Sequence, residues 1–114
     1  MSIRRGDVFY VNLDPTKGSE QAGTRPVLII QNDIGNEYAP TVIIAPLTTK
    51  SFAKRYPTNV NVSRETAGLK EDSIVLLSQI RTIDKGRLDR KLGHLPDSLL
   101  RQVDEAIKVS LGLA

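Results

Sequence analysis

The polar stretch from Asp14 to Thr24, together with the residue that follows it, holds the side chains best suited to chemistry. The polar residues that fall within seven positions are Ser19, Glu20, Gln21, Thr24 and Arg25. This run leads into an apolar stretch, Pro26 to Gln31, that is typical of a strand and would hold Arg25 at a fixed position. A guanidinium pairs bidentately with phosphate oxygens and stabilises the charge that develops on them. The set therefore suits chemistry on a phosphodiester.

RNA would demand the least of such a site, because it carries its own nucleophile. The protein has only to align the 2′-hydroxyl, accept its proton, stabilise the phosphorane and protonate the leaving oxygen. None of these steps requires a metal ion. Residue types alone leave a structural alternative open, since Glu20 and Arg25 could form an exposed ion pair of little value. Thr48, just beyond a predicted strand, could equally serve a turn.

Two further groups of residues could contact nucleic acid. Basic residues cluster in the middle of the chain with two aromatic rings that could stack on bases, namely Lys50, Phe52, Lys54, Arg55, Tyr56 and Arg64. A solvated loop is the simpler explanation of this cluster. Gln79, Arg81 and Thr82 alternate in a strand-like stretch, where they could read bases or fill an edge strand.

Composition excludes several other kinds of site. The chain has no Cys, which rules out disulfides, thiolate zinc sites and a Cys nucleophile, and it has a single histidine, His94, for which we expect a structural or surface role. The carboxylates show no calcium-loop spacing, and Gly18 to Gly23 lacks the ending of a phosphate-binding loop. We therefore expect no metal and no cofactor. The net charge of +3 permits a polyanionic partner without requiring one.

The 114 residues suit one domain spanning residues 1–114. The first 13 residues do not resemble a signal peptide, and the apolar runs are too short for a membrane helix, so we expect a cytoplasmic protein. Patterns of β-forming residues predict strands at Asp7 to Leu13, Pro26 to Gln31, Thr41 to Leu47, Thr58 to Val62 and Ser73 to Leu77. We expect Gln79 to Ile83 to continue the last of these, and Asn32 to Pro40 to be a turn-rich connection.

The end of the chain favours helix. Asp84 to Arg90 suggests a short helical turn capped by Asp84. Pro96 to Leu111 carries apolar residues at helical spacing, with Pro96 suited to the first turn and Gly112 to the position after the last. Several short strands followed by one helix predict a mainly β (α+β) fold, a small barrel closed by a C-terminal helix.

The run from Gly18 to Ile30, GSEQAGTRPVLII, closely resembles the loop and second strand of the MazF/PemK family of toxin ribonucleases. The resemblance extends over the whole chain, through Arg5-Gly6-Asp7-Val8, Gln31-Asn32-Asp33, Pro46-Leu47-Thr48 and Gln79 to Asp84, and it is strongest to the MazF branch of Gram-positive bacteria. It implies an SH3-like barrel with a C-terminal helix, a homodimer, and an RNA groove across the dimer interface.

The resemblance also implies roles for particular residues. Arg25 would act on the scissile phosphate and proton, Thr48 would support the phosphate, and Glu20 would accept a proton or orient the site. The positions that match the RNA groove of the family are Arg5, Ser19, Gln21, Asn32, Gln79, Arg81 and Thr82. The reaction implied is metal-independent cleavage of single-stranded mRNA within a short motif, leaving a 2′,3′-cyclic phosphate or 3′-phosphate and a 5′-hydroxyl. A cognate MazE-like antitoxin would block the groove with an acidic, extended tail.

Two rival functions fit the same fold. A gyrase poison of the CcdB kind is a protein–protein inhibitor built on this barrel, but such poisons act through an aromatic C-terminal tip. This chain has no Trp and ends Leu111-Gly112-Leu113-Ala114. The second rival is a non-catalytic RNA-binding barrel, in which Arg25 would serve affinity alone.

Overall fold

The computed structural model describes residues 2–49 and 56–113. Its elements are β1 (Asp7–Asn12), β2 (Thr24–Ile29), α1 (Asp33–Tyr38), β3 (Thr41–Thr48), β4 (Asn59–Val62), β5 (Ser73–Leu76), β6 (Arg81–Asp84), β7 (Leu88–His94) and α2 (Asp97–Leu111). The prediction of a mainly β fold with a C-terminal helix is confirmed. No helix in residues 2–49 and 56–113 is long and apolar enough to cross a membrane.

The strands form one antiparallel sheet in the order β4-β5-β3-β2-β1-β7, and β6 also pairs with β3. Strands 1 to 3 are buried on both faces, as their near-continuous apolar sequences predict. Alternate residues therefore enter two cores. Val8 and Leu28 belong to the core that α2 covers through Val103, whereas the neighbouring Phe9 packs in the core on the other face.

Within the described residues, no hydrogen-bonded ladder joins β4 to β7, so the sheet is not a fully closed barrel. Backbone packing brings the loop between β4 and β5 against β7 instead. A Cβ on Gly68 would overlap the main-chain carbonyl of Leu92, and a Cβ on Gly93 would lie 2.5 Å from the carbonyl carbon of Ala67. Gly68 also has a φ of +77°. Gly68 therefore requires glycine for its backbone conformation and for its close contact, and Gly93 requires it for its close contact alone. The two glycines allow the loop to pack against the edge of the sheet.

The edge of β3 carries both β5 and β6. Leu47 pairs with Val75 of β5, and Ile44 pairs with Arg81 of β6, so the register shifts by three residues between the two. The three extra residues form a 3-10 turn, Leu77–Gln79. The prediction that Gln79 to Ile83 continue the preceding strand is therefore correct in that this segment pairs with the same edge of β3. It is wrong in that the 3-10 turn separates β6 from β5. The turn carries Gln79 out of the sheet, which matters for the site.

Three local predictions need correction or adjustment. Asn32 to Pro40 contains helix α1, because the Asn32 side chain accepts a hydrogen bond from the Gly35 amide and caps it. Asp84 does cap a turn, but only Lys85–Arg87 is 3-10, and the residues after it form strand β7. Helix α2 begins at Asp97, one residue later than predicted, and ends at Leu111, where Gly112 caps it with a φ of +71°.

Candidate active site

The predicted polar loop between β1 and β2 is closed at its base by main-chain and side-chain hydrogen bonds. The Leu13 amide donates to the Gly23 carbonyl at 3.0 Å, and the Gly23 amide donates to Asp14 Oδ1 at 3.2 Å. We call Asn12, Leu13, Asp14 and Gly23 the loop neck. It fixes the point at which the loop re-enters the sheet, two residues before Arg25.

The guanidinium of Arg25 is held by two main-chain oxygens. Nε donates to Ala22 at 2.9 Å, and Nη1 donates to Leu47 at 3.2 Å. Because a guanidinium has five N–H donors, these two bonds orient it and leave donors for an anion. The arrangement matches the pre-organised cation that a developing phosphorane charge requires.

Thr48 lies at the end of β3, close to Arg25. Val27 pairs with Pro46, and the same antiparallel register continued by two residues places Arg25 opposite Thr48. Both residues line one cavity of about 390 Å³. Thr48 is only 5% exposed, and its partner on the other side is Ile74 of β5. A strand end held on both sides gives this hydroxyl a fixed position.

The same cavity has lining residues that the sequence analysis did not select, Tyr10, Lys70 and Glu71. Tyr10 pairs with Pro26 across β1 and β2, and the guanidinium carbon of Arg90 lies 5.0 Å from the centre of its ring. The guanidinium of Arg90 thus covers one face of the Tyr10 ring and adds a positive charge near the cavity. Lys70 and Glu71 follow Gly68 in the loop that packs on β7, and this packing places them at the cavity. No local pattern in the sequence predicts this contact.

A second cavity, of about 410 Å³, is lined by the Ser19 to Gln21 part of the polar loop. It contains five of the predicted site residues, Ser19, Glu20, Gln21, Gln79 and Arg81. Gln79 Oε1 accepts from the Gln21 amide at 2.8 Å, and its Nε2 donates to the Ser19 carbonyl at 3.4 Å. The 3-10 turn that interrupts the β3 edge thus connects Gln79 to the polar loop.

Glu20 has a local role in this loop. Its Oε1 accepts from the Lys17 amide at 2.9 Å, and its own amide donates to the Lys17 carbonyl at 3.1 Å. This pair of bonds closes a tight turn. Glu20 lines the cavity on the Gln79 side, whereas Arg25 lines the other. The geometry therefore suits an orienting role for Glu20 better than proton transfer at Arg25.

Three predicted groove residues lie away from Arg25. Arg5 donates to the Ile30 carbonyl and to Asp104 of α2, at 2.9 and 2.7 Å. Ile30 is five residues from Arg25 along the β2 segment, about 17 Å in an extended chain. Asn32 caps α1, and Thr82 is exposed on β6 opposite Ile43. None of these three residues lines the cavity described at Arg25 or the one described at Gln79.

Lys50, Phe52, Lys54 and Arg55 of the predicted basic cluster lie outside the described residues. Of the rest, Tyr56 is half exposed, and Arg64 lies 3.8 Å from Asp72 in an exposed ion pair. Within residues 2–49 and 56–113, no group of three or more His, Asp or Glu side chains could hold a metal ion.

His94 has the structural role that was expected of it. Its Nδ1 lies 2.8 Å from Oδ1 of the buried Asp7, whose Oδ2 accepts from the Arg4 amide and from Lys91 Nζ at 2.8 and 3.1 Å. Burial raises the pKa of Asp7, but the hydrogen bonds from His94, the Arg4 amide and Lys91 outweigh this effect and hold it below its ordinary value. Asp7 is therefore a buried carboxylate that joins β1 to β7.

Comparison with known proteins identifies the family of this chain. Residues 4–111 match the family described as PemK-like, MazF-like toxin of type II toxin-antitoxin system. The chain belongs to the MazF-like toxins. Endoribonuclease EndoA of Bacillus subtilis (strain 168) is 50% identical over 113 residues, covering 99% of this chain and 97% of that protein.

Solved structures agree with the fold of this MazF-like toxin. MazF from Deinococcus radiodurans has a TM-score of 0.83 at 26% identity, covering 98% of each chain. A mycobacterial endoribonuclease in complex with its cognate antitoxin has a TM-score of 0.82 at 25% identity, covering 98% of this chain and 97% of that one. The predicted family and enzyme class, an endoribonuclease toxin, are confirmed. The family match favours this function over the gyrase poison and the RNA-binding barrel.

Proposed function

We propose that this MazF-like toxin cleaves single-stranded mRNA within a short sequence motif, without a metal ion, and that Arg25 and Thr48 carry the reaction. The observation that carries the proposal is the anchored guanidinium. Arg25 is held by the Ala22 and Leu47 carbonyls in the cavity that also contains Thr48. A cation fixed beside a buried hydroxyl is arranged for a phosphate that gains charge in the transition state.

The proposed reaction uses the nucleophile of the substrate. The 2′-oxygen forms a bond to the adjacent phosphorus while the bond from phosphorus to the 5′-oxygen breaks. The proton of the 2′-hydroxyl passes to a non-bridging phosphate oxygen and from there to the leaving 5′-oxygen. The leaving oxygen takes a proton, so the products are a 2′,3′-cyclic phosphate, which can hydrolyse to a 3′-phosphate, and a 5′-hydroxyl. Arg25 stabilises the pentacoordinate phosphorus and takes part in proton movement, and Thr48 donates to a phosphate oxygen.

The remaining predicted residues divide by position. We assign Ser19, Gln21, Gln79 and Arg81 to the RNA surface beside the catalytic cavity, because they line one cavity and belong to, or line that cavity with, the loop that leads to Arg25. Glu20 orients that loop through its bonds to Lys17. Arg5, Asn32 and Thr82 would contact RNA only where the strand extends well beyond the cleaved bond.

Membership of the family supports a proposal for the partners of this chain. We propose a homodimer and a cognate MazE-like antitoxin whose acidic tail covers the RNA surface, and we place the activity in the cytoplasm, where mRNA is found. Sedimentation of the purified chain, alone and with the antitoxin, tests both partners. A monomer with full ribonuclease activity would contradict the dimer.

End mapping tests the reaction. The purified chain would be incubated with mixed-sequence RNA, the matching DNA and an RNA with one 2′-deoxy nucleotide at a mapped cleavage position, all in excess chelator. We expect fragments with 5′-hydroxyl ends from RNA alone, and loss of the one cut at the deoxy position. Cleavage of DNA, 5′-phosphate ends or a requirement for added metal would contradict the mechanism.

A further inference from the structure

Two arginines hold the first side of the loop neck from outside the loop. Arg87 Nη2 donates to the main-chain oxygens of Asn12 and Asp14, at 2.6 and 2.8 Å. Arg81 Nη1 donates to the oxygen of Leu13 between them, at 2.8 Å. Three consecutive carbonyls at the end of β1 are therefore bound by two guanidiniums that come from β6 and from the turn before β7.

The second side of the neck leads to Arg25. Asp14 Oδ1 accepts from the Gly23 amide, and the Gly23 carbonyl accepts from the Leu13 amide. Ala22, the residue before Gly23, supplies the carbonyl that accepts from Arg25 Nε. A displacement of Asp14 would thus be transmitted through Gly23 and Ala22 to the guanidinium that faces the substrate.

Arg87 differs from Arg81 in its position relative to the site. Arg81 lines the cavity that contains Ser19 and Gln79, whereas Arg87 lines neither that cavity nor the one at Arg25. Its side chain is half-buried and is directed at main-chain oxygens. Arg87 is placed to hold the loop, while Arg81 is placed both to hold the loop and to meet RNA.

We propose that Arg87 is a positioning residue for cleavage, which fixes the loop neck and through it the guanidinium of Arg25. This inference rests on the proposed ribonuclease function. A small misplacement of a reacting group lowers the rate of the chemical step strongly. Loss of the two hydrogen bonds from Arg87 to the loop neck should therefore lower this rate and have little effect on RNA affinity. A direct phosphate contact would instead lower the affinity and its dependence on salt.

Three variants separate these roles. Arg87→Met removes the guanidinium and keeps the aliphatic stem. Arg87→Lys keeps the charge, but its ammonium lies on a side chain one atom shorter than the path to the Nη2 that binds both carbonyls. Arg101→Met, at an exposed position on α2, is the control for the same change in net charge. Each would be assayed for single-turnover cleavage, for affinity toward a 2′-O-methyl RNA of the same sequence at several salt concentrations, and for amide hydrogen exchange.

For Arg87→Met we expect the single-turnover rate to fall about tenfold to a hundredfold while RNA affinity and its salt slope stay unchanged. Exchange should become faster in the loop that joins β1 to β2, and stay unchanged in β3. Arg87→Lys should show a smaller loss of rate. If Arg87→Met does not fold, Arg87→Lys alone provides the test. Arg101→Met should match the parent protein.

Two results would overturn the proposal. A weaker affinity with a reduced salt slope and unchanged loop exchange would make Arg87 a phosphate contact. An unchanged rate with faster loop exchange would separate the neck from catalysis. A parent chain that cleaves no RNA would contradict the proposed function instead, and the exchange comparison would still decide whether Arg87 holds the loop.

Discussion

Arg25 donates a hydrogen bond from Nη1 to the main-chain oxygen of Leu47, the residue directly before Thr48. The bond joins the start of β2 to the end of β3, where the other edge of β3 pairs with β5. The two proposed catalytic side chains are therefore fixed to each other through the sheet. The geometry of the site depends on the register of the strands rather than on the loop alone.

Substitutions at Thr48 test whether its hydroxyl takes part in cleavage. Thr48→Val keeps the shape and β-branching but removes the oxygen, and loss of one transition-state donor should lower kcat about a hundredfold or more. Thr48→Ser restores a hydroxyl and should recover most of the rate. The control is the melting temperature of both variants, since a buried Thr can also be structural. Equal rates for the Val and Ser variants would remove Thr48 from the reaction.

Asp7 should give a pH-dependent contribution to stability. Its pKa in the folded protein lies below the ordinary value of 3.8, so the stabilisation is fully present above that value and is lost as the pH falls through the folded pKa. Asp7→Asn should cost about 1.5 to 3 kcal/mol at pH 7, because a buried, charge-assisted network is broken.

Denaturant unfolding at pH 7 and at pH 3 measures this effect, and the difference between Asp7→Asn and the parent should shrink at the lower pH. Asp89→Asn, at an exposed position on β7, is the control, and it should change stability by less than about 0.5 kcal/mol. A penalty for Asp7→Asn that does not depend on pH would show that the ionised carboxylate is not the stabilising group.

A substitution at Gly68 tests how much the packing of the loop between β4 and β5 against β7 contributes to stability. Gly68→Ala adds a Cβ that overlaps the Leu92 carbonyl at a φ of +77°, and we expect a loss of about 3 kcal/mol or more from strain and displaced backbone. Gly112→Ala is the matched control, because Gly112 has a φ of +71° and no heavy atom near the added Cβ. It should cost only about 1 to 2 kcal/mol. Thermal unfolding compares the two, and equal losses would show that the contact with β7 is unimportant.

The sequence predicts most of the strands because burial on both faces leaves a continuous apolar record, as in Val27 to Ile30. It also predicts α2, whose apolar spacing and Gly112 terminus are local signals. It does not predict β7, because this strand alternates little and carries charged residues on its exposed positions. Helix α1 was missed because Gly35 and two Asn residues are typical of turns, although Asn32 is a good cap.

In the site, as in the fold, local sequence signals predict some features and long-range contacts determine the others. Arg25 and Thr48 can be selected from the sequence only through the family resemblance, since an Arg before a strand and a Thr after one have ordinary structural explanations. Tyr10 and Lys70 reach the cavity through strand pairing and through the Gly68 contact, which are long-range features. Arg87 could not be selected at all, because its partners are main-chain carbonyls more than 70 positions away.

Metal-independent cleavage of RNA by this chain should depend on the Arg25 guanidinium. The most direct test is single-turnover cleavage of an RNA with one mapped site, in excess chelator, by the parent chain and by Arg25→Ala and Arg25→Lys, with circular dichroism and melting temperature as the folding control. We expect both variants to be folded and to bind the RNA, with cleavage lowered at least a thousandfold in Arg25→Ala, on the order of a lost transition-state cation. A folded Arg25→Ala that cleaves at the parent's rate would exclude the Arg25 guanidinium from the reaction.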